Sequence, residues 1–111
     1  MKKEYSLRSE NDFKLLFTKG RRLDTRLFRT VVKRNNLAHS RFAFVVSRSI
    51  EKRAVLRNQA KRRAKEWVWR HQEFFPEPVD VALVLKREAI ASPKKTFYEE
   101  LRKTFAQGQG S

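Results

Sequence analysis

Arg57-Asn58-Gln59-Ala60-Lys61-Arg62-Arg63-Ala64-Lys65-Glu66-Trp67 is the stretch on which the reading of this chain turns. It is dense in positive charge, yet its small and apolar residues keep a helical period. At about 100° per residue, Leu56, Ala60, Ala64, Trp67 and Val68 fall on one side of a helix. Asn58, Lys61, Arg62, Lys65 and Trp69 fall on the other. A helix that buries one stripe and holds a row of cations opposite it is suited to gripping a polyanion. Its span is expected from about Val55 to Glu73, with Pro76 and Pro78 ending it.

Strand patterns flank this helix. Upstream, Arg41-Phe42-Ala43-Phe44-Val45-Val46-Ser47 is apolar on both faces and is expected at the centre of a sheet. A basic loop, Arg48 to Arg53, joins it to the helix. Downstream, Val79 to Lys86 alternates Val81, Leu83 and Leu85 with Ala82 and Val84. Phe42 to Leu85 therefore reads as a strand–helix–strand crossover, right-handed by the general rule.

The pattern extends outward from there. Ser9 to Lys19 predicts a short helix with Ser9 as N-cap, Glu10 and Asp12 at its positive end and Gly20 as C′. Phe13, Leu16 and Phe17 form its apolar stripe. Arg26 to Lys33 predicts a strand, with Phe28, Thr30 and Val32 on one face and Leu27, Arg29 and Val31 on the other. Ser92-Pro93 opens a last helix whose stripe is Phe97, Tyr98, Leu101 and Phe105. Helix, two strands, helix, strand, helix defines an α+β chain, a single-domain α/β sandwich around one small mixed sheet. The domain is expected to cover residues 1–111, with 1–7 and 107–111 frayed.

Charge narrows the function. The chain has 27 Lys and Arg against 12 acids, a net charge of +15 over 111 residues. Residues 1–34 carry eleven bases and four acids, residues 41–70 carry ten and two, and residues 71–111 carry six of each. Such an excess opposes compaction, so it points to a use. Phosphate backbones are the usual one, since each Lys or Arg contact releases a condensed counterion, and an anionic membrane surface is the rival. The absence of cysteine excludes disulfides and thiolate metal sites. No apolar run follows Met1-Lys2-Lys3, and no segment approaches membrane-spanning length, so a soluble cytoplasmic protein is expected.

Catalytic side chains are hard to find. His39 and His71 have no recognisable partner, and the adjacent Glu99 and Glu100 point in different directions on a helix. The three glycines form no phosphate loop, and no hydroxyl has a neighbouring His and acid. Any chemistry is therefore expected to belong to a partner.

The order of landmarks resembles the protein subunit of bacterial ribonuclease P. They are Arg8, Phe13 with Phe17, Gly20-Arg21-Arg22, a Phe-rich strand ending Val45-Val46-Ser47-Arg48, and Arg57-Asn58-x-x-Lys61-Arg62. Asp80 at the start of the third strand belongs with them. The match runs from about residue 6 to residue 105. The resemblance implies partnership with a large catalytic RNA, the ribonuclease P RNA, that holds Mg2+ and cuts the 5′ leader from precursor tRNA. No side chain of this chain would be catalytic. Arg57, Asn58, Lys61, Arg62 and Lys65 would form the RNA-facing helix, and Phe13 and Phe17 would edge a cleft for the leader. It also implies a fourth short strand, placed near Arg21-Arg22-Leu23, and a left-handed crossover. The chain departs from the family pattern at Gln59, Ser49 and Glu51, and has Lys65 where an Arg-like position is usual.

Each signal has a plainer reading beside it. A charge run is usually a solvated face, but ten bases against two acids in thirty residues favours binding. By composition alone Phe13 and Phe17 are core; the cleft role comes from the resemblance. Trp69 either stacks on a base or packs against a loop. Arg21, Arg22, Arg48, Lys52 and Arg53 are further candidate phosphate contacts. Composition equally admits a ribosomal or other structural RNA-binding protein; the ordered landmarks favour the ribonuclease P reading. A DNA-binding helix lacks a helix-turn-helix partner, and a stand-alone nuclease lacks metal ligands. Neither DNA nor a membrane is expected as partner.

Overall fold

The computed structural model describes residues 5–109, with side chains described through Ala106. The elements follow in order: α1 (Glu10–Lys19), β1 (Arg21–Asp24), β2 (Phe28–Arg34), β3 (Arg41–Val45), α2 (Ala54–Arg70), β4 (Val79–Leu85), α3 (Arg87–Ala91) and α4 (Lys94–Gln109). A single 3-10 turn, Gln72–Phe74, follows α2. The four strands form one mixed sheet in the order β1-β2-β4-β3, with β3 parallel to β4 and the other pairs antiparallel. The fourth strand expected near Arg21-Arg22-Leu23 is β1.

Local chemistry accounts for the element ends. Ser9 caps α1 by accepting from the Asp12 amide at 3.4 Å. At the end of α2, the His71 amide donates to the Trp67 carbonyl at 3.0 Å. The first turn of α4 closes with the Phe97 amide donating to Pro93 at 3.0 Å, so proline sits at the helix start, where it lacks a donor that would go unused.

The sheet is covered unequally. On one face α2 and α4 enclose the main core, where Phe28, Trp67, Val68, Leu83, Phe97 and Leu101 are all buried. Phe28 and Phe97 meet edge to face, centroids 5.2 Å apart, the arrangement that suits two ring quadrupoles. On the other face only α1 packs, with Leu16 over Val31 and Ala82 and with Leu7 beside them. Strand alternation produces this division: Phe28, Thr30 and Val32 face the large core, while Val31 faces α1.

The structure differs from the sequence reading at several points. The Arg41–Ser47 strand is not central. β3 is an edge strand, and β4 takes the middle. It is apolar on both faces because α2 covers one and α1 with an open groove shares the other. Ser6 bridges Phe42, and the Leu7 amide donates to the Phe42 carbonyl at 2.9 Å, which ties this segment to β3. At the other end α4 continues to Gln109; residues 1–4 and 110–111, part of the termini expected to fray, lie outside the described residues. The short helix α3 was not foreseen, because five residues carry too little periodicity to read. Finally, Gly20 is extended rather than left-handed (φ −73°, ψ 159°).

Candidate nucleic-acid interface

The candidate interface is built on α2, whose inner stripe of Ala60, Ala64, Trp67 and Val68 is buried as the sequence pattern required. The two alanines let the helix lie close to the sheet, and Trp67 anchors its far end by stacking on Phe105, centroids 5.9 Å apart. This fixes the helix roll, and so the direction of its outer face. Asn58, Arg62, Lys65 and Trp69 are exposed there, with Lys61 partly so. Among the described residues the side chains of Lys61, Arg62 and Lys65 enter no ion pair. Cations left without internal partners keep their full charge for an external anion.

Arg57 is placed differently. Its Nη1 donates to the carbonyls of Glu51 and Lys52, each at 2.9 Å, so it clasps the loop preceding its own helix. The signal was available, because Arg57 falls between Leu56 and Val68 on the wheel, on the inward side. Arg53 is likewise engaged: its Nε and Nη2 hold both carboxylate oxygens of Glu51, at 3.0 and 3.2 Å. That side-chain hydrogen bond from Arg53 is the main reason the Glu51 carboxyl titrates below the usual glutamate range. Glu51 also accepts from the Arg53 amide at 3.0 Å, capping the chain as it enters α2. Ser49, another departure from the family pattern, bonds to the Ser47 hydroxyl at 2.6 Å and tightens the same loop. Ser49 and Glu51 thus brace the loop, and its exposed cations outside the Glu51 pair are Arg48 and Lys52.

The second part of the interface is the open side of the sheet. Phe13 and Phe17 stack along α1, ring centroids 6.3 Å apart and 12° from parallel. Phe13 is half-buried against the Leu7, Leu16, Val31 and Ala82 cluster. Phe17 is 39% exposed at the edge of the uncovered sheet, so the pair is rooted in the core at one ring and open at the other. Pairing register places Asp24, Arg29, Val84 and Val45 side by side across the four strands on this face. Val45 and Arg29 are exposed, and Val84 is half-buried. Arg22 lies opposite Val31 and shares this face, whereas Arg21 lies opposite Val32 on the other. The structure therefore separates two residues that the sequence had grouped. Arg29, Val45 and Val84 were missed, although strand alternation had already put Arg29 with Val31.

An ion-pair network sets the position of α1 over this groove. Arg41 grips Asp80 through Nε and Nη2 at 2.9 and 2.7 Å and reaches Asp12 of α1 through Nη1 at 3.1 Å. Asn35 donates to the same Asp80 at 3.0 Å. Pairing with Asp80 raises the Arg41 pKa further above its ordinary value. Asp12 immediately precedes Phe13, so the network fixes the start of the aromatic edge. Both carboxylates are occupied by Arg41, and no group of three or more His, Cys, Asp or Glu among the described residues could hold a metal ion.

A basic helix face and an aromatic-edged groove, on opposite sides of one small sheet, define a polyanion-binding α+β protein. Comparison with known proteins agrees. The Ribonuclease P family model matches residues 1–108. The ribonuclease P protein component of Thermotoga maritima is 31% identical over 97 residues, 87% of this chain and 75% of that one. That of Exiguobacterium sibiricum is 29% identical over 106 residues, 95% and 90% of the two chains. Among solved structures, the Thermotoga maritima RNase P protein superposes with a TM-score of 0.81 at 25% identity, covering 92% of this chain and 96% of that one. The Staphylococcus aureus RNase P protein has the same fold, with a TM-score of 0.85 at 23% identity and 94% coverage of both chains. The chain belongs to the ribonuclease P family as a protein component, and so to the RNA-binding proteins of tRNA processing.

Proposed function

We propose that this chain serves a bacterial ribonuclease P by holding its catalytic RNA on the outer face of α2 and the 5′ leader of precursor tRNA in the groove beside α1. The observation that carries this reading is the outer face of α2, where Lys61, Arg62 and Lys65 enter no ion pair among the described residues while the opposite stripe is buried. Asn58 adds an amide to that face, and Arg48 and Lys52 extend it onto the loop. The groove supplies what an unpaired strand needs, an aromatic edge at Phe17 and cations at Arg22 and Arg29 on an apolar floor. Arg57 and Arg53 contribute by shaping the loop between these surfaces.

In this reading hydrolysis belongs to the RNA, and Mg2+ is bound mainly by the RNA; of the chain's own carboxylates, Asp12 and Asp80 are held by Arg41. The work of the protein is to neutralise phosphates that would otherwise repel one another, which lowers the Mg2+ required. The holoenzyme would act in the cytoplasm, where precursor tRNA is processed. The test is cleavage of precursor tRNA by a bacterial ribonuclease P RNA at low Mg2+, with and without this chain. Restored cut at the mature 5′ end is expected. RNA binding without rescue would favour a structural RNA-binding role of the ribosomal kind.

A further inference from the structure

The basic face of α2 ends in a cavity lined by rings. Lys61, Lys65 and Trp69 recur every fourth residue and form one line along the helix, successive members about 6 Å apart. Trp69 is 53% exposed, although it is among the largest apolar side chains in the protein. Tyr5, from the segment docked on β3, approaches it with ring centroids 5.6 Å apart, and meets His39 edge to face at 4.9 Å. With Phe42, Phe75 and Pro76 these residues enclose an open cavity of about 380 Å³.

We infer that this Tyr5–His39–Trp69 cavity takes one unpaired base of the ribonuclease P RNA, whose backbone runs along Lys61 and Lys65. The inference rests on the proposed function and adds a site to it. Charge and shape argue together. The two lysines match phosphates at neighbouring positions of a strand, and a strand so held delivers its next base to the aromatic end. Rings receive a base by its face whatever its identity, so the cavity needs no hydrogen-bond code. The cavity opens at the C-terminal end of α2, on the large-core side of the sheet and away from the Phe17 groove. Its occupant is therefore assigned to the RNA that covers α2, not to the tRNA leader.

Binding of ribonuclease P RNA is measured for the full chain and for Trp69→Ala and Trp69→Phe, across a salt series, together with melting curves. Trp69→Ala should weaken binding about 5- to 100-fold with an unchanged salt slope, because a stacked base and not a phosphate contact is lost. Trp69→Phe should recover most of it. Trp67 is buried, so acrylamide quenching of the wild-type protein reports mainly on Trp69, and RNA should shield it. Wild-type affinity in Trp69→Ala overturns the inference. So does equal weakening by both variants with a lowered melting temperature, which would make Trp69 a clamp for Tyr5. If the wild-type chain itself fails to bind the RNA, the proposed function falls and this site falls with it.

Discussion

Gly20 has a backbone that any residue adopts, φ −73°, yet there is no room for a side chain. A Cβ there would lie 2.4 Å from the Leu16 carbonyl oxygen and 2.5 Å from Val31 Cγ1. Gly20→Ala gains up to about 1 kcal/mol by restricting the unfolded chain, but overpacking costs about 1–3 kcal/mol. The clash involves backbone and wins, so a net loss near 1–2 kcal/mol is expected in urea melts; a stabilised variant would show that α1 shifts freely. Asp80→Ala should cost more, about 3 kcal/mol, because it strips both Nε and Nη2 of Arg41 in a half-buried setting. A cost below 1 kcal/mol would mean that Asp12 and water replace it. Glu51 gives a pH prediction. Its folded pKa is depressed from the ordinary 4.5, so its bracing of the loop is complete above that value and is lost as pH falls through the lower folded one. A carboxyl NMR titration should put its midpoint below 4.5, and Arg53→Ala should return it to the ordinary range. An unmoved midpoint in the variant would remove Arg53 as the cause. At this scale the sequence showed which residues were charged but not always which were spoken for: Arg53 was indistinguishable from Lys61 until the loop was folded, whereas Arg57 already lay on the inward side of the helical wheel.

In α2 the two sides of one helix separate stability from binding. Under the proposed function, replacing Lys61, Arg62 and Lys65 with alanine would remove three phosphate contacts, and among the described residues it breaks no ion pair. Three contacts at a slope of about 0.7–0.9 each amount to roughly 20- to 40-fold in affinity between 50 and 200 mM salt. The triple variant should lose that portion of the salt dependence while melting like the wild type. An unchanged slope would detach this face from RNA. Ala64→Asp tests the inner side. Ala64 is fully buried, so the carboxylate would lie unpaired against the sheet and is expected to abolish or severely lower the melting transition. Both sides of α2 were legible in advance because a helix of 17 residues spans enough turns for its period to be read. The five-residue α3 was invisible for the opposite reason, and the place of β3 at the sheet edge was hidden because a strand apolar on both faces reads as central.

For the molecule as a whole, the net charge of +15 works against folding and for binding at the same time. Added salt screens the self-repulsion of the free protein, so its melting temperature should rise between low salt and about physiological ionic strength. RNA affinity should fall over the same range. A melting temperature that drops with salt would imply that attractive pairs dominate the surface. The opposed signs share one cause: the excess cations repel one another in the free protein and attract phosphate in the complex, and salt screens both. Sequence alone determined the class of the fold, the inner and outer sides of α2, and the polyanion as partner, because periodicity and charge are local properties that folding does not alter. Tertiary structure decided the strand order β1-β2-β4-β3, the diversion of Arg53 and Arg57 into the loop, the separation of Arg21 from Arg22, and the meeting of Tyr5, His39 and Trp69. The strand order and the ring cluster depend on which distant segments become neighbours, set by packing over the whole core, whereas the Arg53 and Arg57 contacts span only two to six residues and depend on the conformation of the loop.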